Sequence, residues 1–315
     1  MTSFPSPLCG HRRAVVMVTA VAAAALSIMT GIPATAAPIG RTAAAVGMHA
    51  VPGNRPTAAA RAAGITKAGE AYTGWNERHV SMTAAVKNGR LVVSPPTLTG
   101  TVTTATATST SSVDGMDVSS WQGTVDWTSW YRSGKRFAYV KATEGTSYRS
   151  PTFSAQYTGS YTAGMIRGAY HFALPSGASG TIQADYFVAH GGGWSNDGKT
   201  LPGMLDIEWN PYGAACYGKT PAQLVAWVSA FVKEYRYKTG RDAVIYTAAS
   251  YWTSCLGNAT TFAYTDPLVV ANYSTSAPTL FGGWPYFTFR QYTDTPLDLD
   301  RFYGTYARLQ ALALG

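Results

Sequence analysis

The sequence predicts an α/β fold in which a largely parallel sheet closes into a barrel, and three observations lead to this prediction. From Val113 onward, strand-like apolar runs alternate with helical runs over about 200 residues, as in a parallel sheet with crossover helices. Several of these strands end in polar or aromatic residues, as in a barrel whose site lies at the carboxyl ends of its strands. An open doubly wound sheet is disfavoured because no glycine-rich phosphate loop follows the first strand.

The elements follow one another along the chain with little interruption. Alternating or continuous apolar runs predict strands at 115–119, 137–141, 166–172, 203–209, 243–246, 268–271 and 287–292. Helical patterns are expected at 127–135, 151–163, 181–190 and 221–239. The last helix has the clearest signals, since Thr220 is a favoured N-cap, Pro221 suits the first helical position and Gly240 suits the end.

Composition and charge exclude one large class of partner. The chain is 46% hydrophobic, with 13% charged and 13% aromatic residues, a balance that suits stacking on sugar rings. The formal charge of +8 divides into +2 over residues 1–36, +5 over residues 37–113 and +1 over residues 114–315. A nucleic-acid-binding domain would concentrate positive charge on its folded part, so no nucleic acid is expected as a partner.

The N-terminus predicts export. Arg12 and Arg13 precede an apolar run, and the small-residue site Ala34-Thr35-Ala36 follows it, which is typical of a signal peptide spanning residues 1–36. A retained membrane anchor is less favoured because the run is short and rich in alanine. We therefore expect a secreted, extracellular protein near cell walls, without stable membrane association after cleavage. The arginine pair leaves the general secretory and twin-arginine routes both open.

Residues 37–112 are rich in Ala and Thr and predict a linker or pro-region that is largely flexible. Short helices are conceivable at 43–50 and 57–68, and Trp75 and residues 91–93 are the main apolar anchors. Residues 113–315 then form the predicted catalytic barrel. We expect this barrel to be monomeric and to need no cofactor or metal.

Two cysteines remain after signal cleavage, Cys216 and Cys255. In an exported protein such a pair predicts a disulfide, here joining the loop after the strand at 203–209 to the segment after Tyr246. Two free thiols are the alternative. Metal binding by the pair is disfavoured because no histidine cluster lies near it in sequence.

The strand at 203–209 places two acids at alternating positions within an apolar run. Residues i and i+2 of a strand point to the same side with Cα atoms roughly 6–7 Å apart, so Asp206 and Glu208 project together. Burial next to a like charge should raise the pKa of one of them. A protonated acid beside a carboxylate is what cleavage of a glycosidic bond requires. The alternative is a pair of strand-end acids that cap loops or bind Lys or Arg.

Motifs spread over residues 114–310 resemble glycoside hydrolase family 25 lysozymes, and most closely the secreted actinobacterial members. The motifs are GMDVSSWQG at 115–123, FAYVKATEG at 137–145, RGAYHF at 167–172, LDIE at 205–208, QY at 291–292 and LDLDRF at 297–302. The resemblance implies a modified, flattened (β/α) barrel. It also implies hydrolysis of the β-1,4 bond between N-acetylmuramic acid and N-acetylglucosamine, the bond of an N-acetylmuramidase.

The same resemblance implies roles for four acids. Glu208 matches the general acid, Asp206 the second central carboxylate, and Asp117 and Asp298 the remaining pocket acids. Asp300 stands where the family often has Asn. A substrate-assisted mechanism is favoured, with Asp206 orienting the 2-acetamido group of the sugar, while inverting and covalent routes stay open.

The other candidate residues have two interpretations each. Tyr170, Tyr246 and Trp209 either line the sugar subsites or belong to the core. Gln291 either binds sugar or ties the last strand to a neighbour. We expect His171 to be a hydrogen-bonded structural residue and not a catalyst. Lys141 either pairs with Glu144 or lowers the pKa of a pocket acid.

Three functions remain open at this point. The first is a secreted muramidase whose partner is the glycan strand of bacterial peptidoglycan. The second is a glycosidase acting on another N-acetylated glycan such as chitin. The third, a non-catalytic glycan-binding protein, is disfavoured because all four expected acids are present.

Overall fold

The computed structural model describes residues 55–77, 85–87, 90–93 and 111–315, all within one compact unit that spans residues 50–315. The predicted signal peptide at 1–36 and the conceivable helix at 43–50 lie outside the described residues. Within the described ranges, no helix is both long enough and apolar enough to cross a membrane.

Twelve strands lie in the described residues, and eight of them form the barrel. In chain order the strands are β1 (Ala85–Lys87), β2 (Arg90–Val93), β3 (Val113–Val118), β4 (Thr124–Val125), β5 (Phe137–Glu144), β6 (Tyr148–Arg149), β7 (Ile166–Phe172), β8 (Met204–Asp206), β9 (Val244–Ala248), β10 (Leu268–Ala271), β11 (Phe289–Thr293) and β12 (Leu299–Phe302). The helices are α1 (Ala58–Ala62), α2 (Trp127–Arg132), α3 (Phe153–Thr162), α4 (Gly180–Phe187), α5 (Pro221–Thr239), α6 (Ala249–Leu256) and α7 (Tyr306–Leu314), with a 3₁₀ turn at Ser120–Gln122 and a π turn at Val188–Gly192.

The barrel strands are hydrogen-bonded in the order β3, β12, β11, β10, β9, β8, β7 and β5, and pairing of β5 with β3 closes the ring. Neighbouring strands are parallel except for β12, which runs antiparallel to both β11 and β3. The predicted α/β barrel is confirmed. It is modified at one side, where the described residues 272–288 join β10 to β11 without a helix.

Two apolar layers follow from the alternation of side chains along the strands. On β8, Leu205 packs outward with the helices, in the same layer as Phe231 of α5, whereas Met204 packs inside the barrel. Asp206 therefore points to the interior, at the carboxyl end of its strand. The helices thus fix the strand that presents the acids.

Helix α5 has the predicted ends. The Thr220 side chain accepts a bond from the backbone N–H of Gln223, and the Gln223 side chain accepts one from Thr220. Gly240 ends the helix in the left-handed region, at φ 74°. The predicted disulfide is present between Cys216 and Cys255 and joins the loop after β8 to α6, with Cα atoms 5.3 Å apart.

Residues 55–77 differ from the expected flexible linker, because they are folded against the barrel. Thr57 caps α1 by accepting a bond from the Ala60 N–H at 3.1 Å, and Ala60, Tyr72 and Trp75 are buried. Farther along, β2 pairs with β1 and, in parallel, with β4. Residues 55–77 thus have an ordered fold, and the flexibility expected for most of 37–112 stays a prediction. The boundary between pro-region and catalytic domain at residue 112 stays a prediction.

Candidate active site

The carboxyl end of β8 holds the two acids on which the sequence prediction centred. Asp206 is fully buried and Glu208 is 2% exposed. Burial and the neighbouring charge of Asp206 raise the pKa of Glu208 well above its usual range, although a bond from the Gly74 N–H opposes the rise. Burial also raises the pKa of Asp206, and the positive charge of Lys141 opposes it. Burial and the neighbouring carboxyl group thus both favour the protonated form of Glu208.

Asp117 lies on β3, and Asp298 immediately precedes the neighbouring strand β12. The Asp117 N–H donates to the Asp298 carbonyl at 3.1 Å, and two residues farther along the same strand pair Asp300 lies opposite Gly115. All three acids are buried. Burial first, and then the charge of Asp300, raises the pKa of Asp117. Asp300 is thus a member of the acid cluster, a position to which the sequence reasoning gave less weight than Asp298.

Gln291 connects Asp117 to the side chains of Tyr246 and Tyr273. Its amide donates to Asp117 Oδ2 at 2.7 Å, and its carbonyl accepts bonds from the hydroxyls of Tyr246 and Tyr273, each at 2.6 Å. Gln291 and Tyr246, both predicted as substrate-binding, are therefore brought together here. Tyr273 was missed, because it follows the end of β10 in a polar stretch without an apolar pattern.

The interpretation of Lys141 and Glu144 as a pair is confirmed, with Lys141 Nζ 2.6 Å from Glu144 Oε2 and both side chains buried. The Tyr212 hydroxyl also donates to Glu144, at 2.6 Å. The second interpretation holds as well, since the charge of Lys141 lowers the pKa of Asp206 relative to burial alone. Lys141 therefore pairs with Glu144 and also acts electrostatically on Asp206.

The remaining predicted residues divide between the cluster and its surroundings. Tyr170 is fully buried inside the barrel, where burial and the charges of Asp117 and Asp206 raise its pKa. Trp209 is half-buried beside the cluster, with its ring edge-on to Tyr251 at 5.3 Å.

His171 points to the outer layer, away from the acids. Its Nδ1 lies 2.8 Å from the Thr143 hydroxyl and its Nε2 lies 2.9 Å from Gln183 Oε1. Burial lowers the pKa of His171 to about 3, so the ring is neutral at physiological pH. These contacts agree with the structural role that the sequence favoured.

One group of contacts was not foreseen, because it comes from the segment ahead of the barrel. The Gly74 N–H donates to Glu208 Oε1 at 2.7 Å, and the Thr73 hydroxyl donates to Asp117 Oδ1. The Gly69 N–H donates to Glu144 at 2.9 Å. Backbone amides and a hydroxyl leave little trace in hydrophobic periodicity, which explains the omission.

The arrangement suits cleavage of a glycosidic bond. An acid with a raised pKa, further carboxyl groups and aromatic rings gather at the carboxyl end of the strands, where barrels place their active sites. Within the described residues, no group of three or more His, Cys, Asp or Glu side chains has the arrangement of a metal site.

Comparisons with known proteins agree with this chemistry. The family described as glycosyl hydrolases family 25 matches residues 116–299. Lysozyme M1 of Streptomyces globisporus is 51% identical over 212 residues, which cover 65% of this chain and 72% of that protein. An N,O-diacetylmuramidase of a Chalaropsis species is 53% identical over 186 residues, covering 58% of this chain and 88% of that protein. The solved bacterial lysozyme of Streptomyces coelicolor is 52% identical with a TM-score of 0.63, covering 65% of this chain and 99% of its own.

The barrel, its buried acids and these similarities define a glycoside hydrolase. Because the family match covers more than half of its length, the chain belongs to family 25 of the glycosyl hydrolases. The resemblance inferred from the sequence motifs is thereby confirmed.

Proposed function

We propose that this chain is a secreted, extracellular muramidase that hydrolyses the β-1,4 bond between N-acetylmuramic acid and N-acetylglucosamine in bacterial peptidoglycan. The observation that carries the proposal is the buried pair Asp206 and Glu208 at the carboxyl end of β8, with the pKa of Glu208 raised. The names of the similar proteins, a lysozyme and an N,O-diacetylmuramidase, support the choice of substrate.

In the first step, Glu208 acts as general acid. Its proton passes to the glycosidic oxygen while the bond from that oxygen to C1 of the muramic acid breaks. The carbonyl oxygen of the sugar's own 2-acetamido group bonds to C1 and forms an oxazolinium ion. Asp206 accepts the acetamido N–H and stabilises the positive charge that develops on it.

In the second step, the deprotonated Glu208 takes a proton from a water molecule, whose oxygen attacks C1. The bond between C1 and the acetamido oxygen breaks, its electrons restore the amide, and Glu208 is protonated again. Two displacements at C1 leave the product with its original β configuration. Asp117 and Asp298 complete the pocket, with Tyr170, Tyr246, Trp209 and Gln291 as substrate-binding residues.

The proposal is tested by assaying Glu208→Gln and Asp206→Asn on purified peptidoglycan. We expect Glu208→Gln to lose at least 100-fold in kcat while still binding a soluble peptidoglycan tetrasaccharide, because the amide keeps the shape but carries no transferable proton. Asp206→Asn should lose 100-fold or more with a small change in KM, because it removes stabilisation of the developing cation. Glu234→Gln, in helix α5, serves as the control that should leave turnover unchanged.

Two further readouts decide between the remaining possibilities. Proton NMR of the first product should show the β anomer, and an initial α anomer would exclude the assisted route in favour of inversion. Undiminished release of fragments by Glu208→Gln would remove Glu208 from the mechanism. Hydrolysis of chitin oligosaccharides without hydrolysis of peptidoglycan would reassign the substrate.

A further inference from the structure

We propose that the catalytic cleft, meaning the site formed by Glu208, Asp117 and Gln291, is also a binding site for the chain's own residues 55–77. This segment inhibits the enzyme until it is displaced. The inference rests on the proposed function, since it assumes that Glu208 and its neighbours are the catalytic groups. It adds a ligand for the cleft, namely a glycine-containing peptide that approaches the acids with its backbone.

Residues 55–77 restrict access to the catalytic acids. A muramidase has to bring a polymeric sugar strand into contact with its general acid. With residues 55–77 in place, Glu208 is 2% exposed and Asp117 is 1% exposed. The cleft is therefore occupied in this structure, and by a segment that lies outside the matched family region at 116–299.

Residues 73 and 74 hydrogen-bond to the catalytic groups themselves. The Gly74 N–H donates to Glu208 Oε1 at 2.7 Å, so this oxygen serves as an acceptor and is not directed at a glycosidic oxygen. The Thr73 hydroxyl donates to Asp117 and accepts a bond from the Gln291 amide at 3.1 Å. Residues 73 and 74 thus bind the polar groups that the substrate would need.

The residues on either side of 73 and 74 also make buried contacts with the barrel. Lys141 donates to the carbonyls of Gly69, at 3.2 Å, and Ala71. The indole N–H of Trp75 donates to the Trp209 carbonyl at 2.9 Å, and Trp209, one of the predicted sugar-binding aromatics, packs against the apolar cluster that includes Trp75. The segment therefore reaches from the buried ion pair to the edge of the cleft.

The segment is also held by hydrogen bonds away from the acids, both to the barrel and within itself. The Thr57 N–H donates to the Pro211 carbonyl at 2.8 Å, and the Tyr72 hydroxyl donates to the Ala63 carbonyl at 2.7 Å. The Trp121 indole N–H donates to the Glu70 carbonyl at 3.1 Å, with its ring edge-on to Tyr72. An anchored segment presents residues 69–75 to the cleft in one arrangement.

Glycine is needed at the point of closest approach. Gly74 has φ +69°, which is unfavourable for other residues, and a Cβ atom there would lie 2.7 Å from Gln291 Oε1 and 2.9 Å from the Tyr246 hydroxyl. It would also overlap the Tyr273 hydroxyl. At Gly69, with φ +90°, a Cβ atom would overlap the Tyr148 ring. Both positions allow the backbone to sit against the barrel, and both offer a way to expel it.

Connection in one chain explains how the inhibition could be released. The segment binds intramolecularly, so its local concentration at the cleft is set by the chain and not by dilution. One cut of the backbone between residues 78 and 110 would make the contact intermolecular and allow the segment to dissociate.

The test compares chains that begin after the predicted signal peptide, residues 37–315, as wild type, Gly74→Val, Gly69→Val and Ala68→Val. Ala68 is exposed in the same segment, so its substitution is the matched control. We expect both glycine variants to release peptidoglycan fragments at least tenfold faster than wild type. This corresponds to a loss of about 1.4 kcal/mol in the free energy with which the segment binds the cleft. Ala68→Val should match wild type.

Amide hydrogen exchange on the same samples reports the segment itself. In wild type, the amides of residues 69–75 should be protected, and they should exchange at least tenfold faster in Gly74→Val while the barrel strands stay protected. Equal activity of wild type and both glycine variants, with the segment released only in the variants, would overturn the proposal. A glycine variant whose strands lose protection has unfolded, and the wild-type chain then decides. Its segment should exchange faster when the tetrasaccharide is added, and unchanged protection with normal hydrolysis would overturn the proposal.

Failure of the proposed function looks different. If the segment is released in the glycine variants but no variant hydrolyses peptidoglycan, the muramidase assignment is refuted, and the inhibitory role with it, while the segment's occupancy of the cleft stands.

Discussion

The buried ion pair between Lys141 and Glu144 allows a quantitative test of the electrostatics beneath the site. The two side chains are 0% and 1% exposed, with Nζ and Oε2 2.6 Å apart. Replacing Lys141 by Met keeps most of the volume but leaves a carboxylate buried without its cation. Removing one partner of such a pair costs about 3–5 kcal/mol. For a domain of this size the loss corresponds to a decrease in Tm of roughly 6–20 °C.

Lys141→Met should also shift catalysis. Without the cation, the pKa of Asp206 rises further, because the charge of Lys141 is the largest of the effects that oppose burial at Asp206. The acidic limb of the pH–rate profile should therefore move to higher pH.

The assay is thermal unfolding of residues 37–315 at pH 4 and pH 8, with a double variant as internal comparison. Lys141→Met with Glu144→Leu should be more stable than Lys141→Met alone, because no unpaired charge remains. Lys238→Met removes a cation that contacts Asp185 at 2.9 Å and Glu234 at 3.5 Å and is 39% exposed, so it should cost much less than Lys141→Met. If Lys141→Met lost no more stability than Lys238→Met, the conclusion that Lys141 and Glu144 form a buried ion pair would be refuted.

Two further predictions concern stability. Asp300→Asn should raise Tm at pH 8 and have little effect at pH 4. Burial and the charge of Asp298 raise the pKa of Asp300 in the folded chain. The stability that this group contributes is therefore full below its unfolded pKa of about 3.9 and is lost as pH rises. Equal shifts of Tm at both pH values would contradict this. Replacing Cys216 and Cys255 by Ser should cost about 4 kcal/mol, since the bond closes a loop with a sequence separation of 39. Calorimetry with and without reductant measures it, and a loss under about 1 kcal/mol would show that the bond does not constrain the unfolded chain.

Much of the barrel was predictable because its strands are continuous apolar runs. The bounds predicted for 166–172 and 268–271 agree with those of β7 and β10. Strand β12 was not predicted as a strand, since it is only four residues long and its two charged residues, Asp300 and Arg301, are adjacent and break the polar–apolar alternation. Its antiparallel direction depends on closure of the ring, which no local pattern encodes.

The acids of the site were predictable for a different reason. Asp206 and Glu208 interrupt an apolar run. Burying two carboxyl groups there costs free energy of folding unless they are paired or hydrogen-bonded, so their presence indicates a functional site. Tyr273 and residues 69–74 could not be found in this way, because they reach the site through a loop and through backbone N–H groups. The packing of Gly69 and Gly74 against the acids depends on the lack of a side chain, which carries no hydrophobic signal.

The measurement that tests the central claim most directly is mass spectrometry of soluble products from purified peptidoglycan, reduced with borohydride to mark the new reducing end. It should be made with wild type, Gly74→Val and Glu208→Gln. The account predicts reduced N-acetylmuramic acid as the new terminus, in larger amount from Gly74→Val than from wild type, and none from Glu208→Gln. Reduced N-acetylglucosamine at the new terminus would contradict the account, because the enzyme would then cleave the other glycosidic bond.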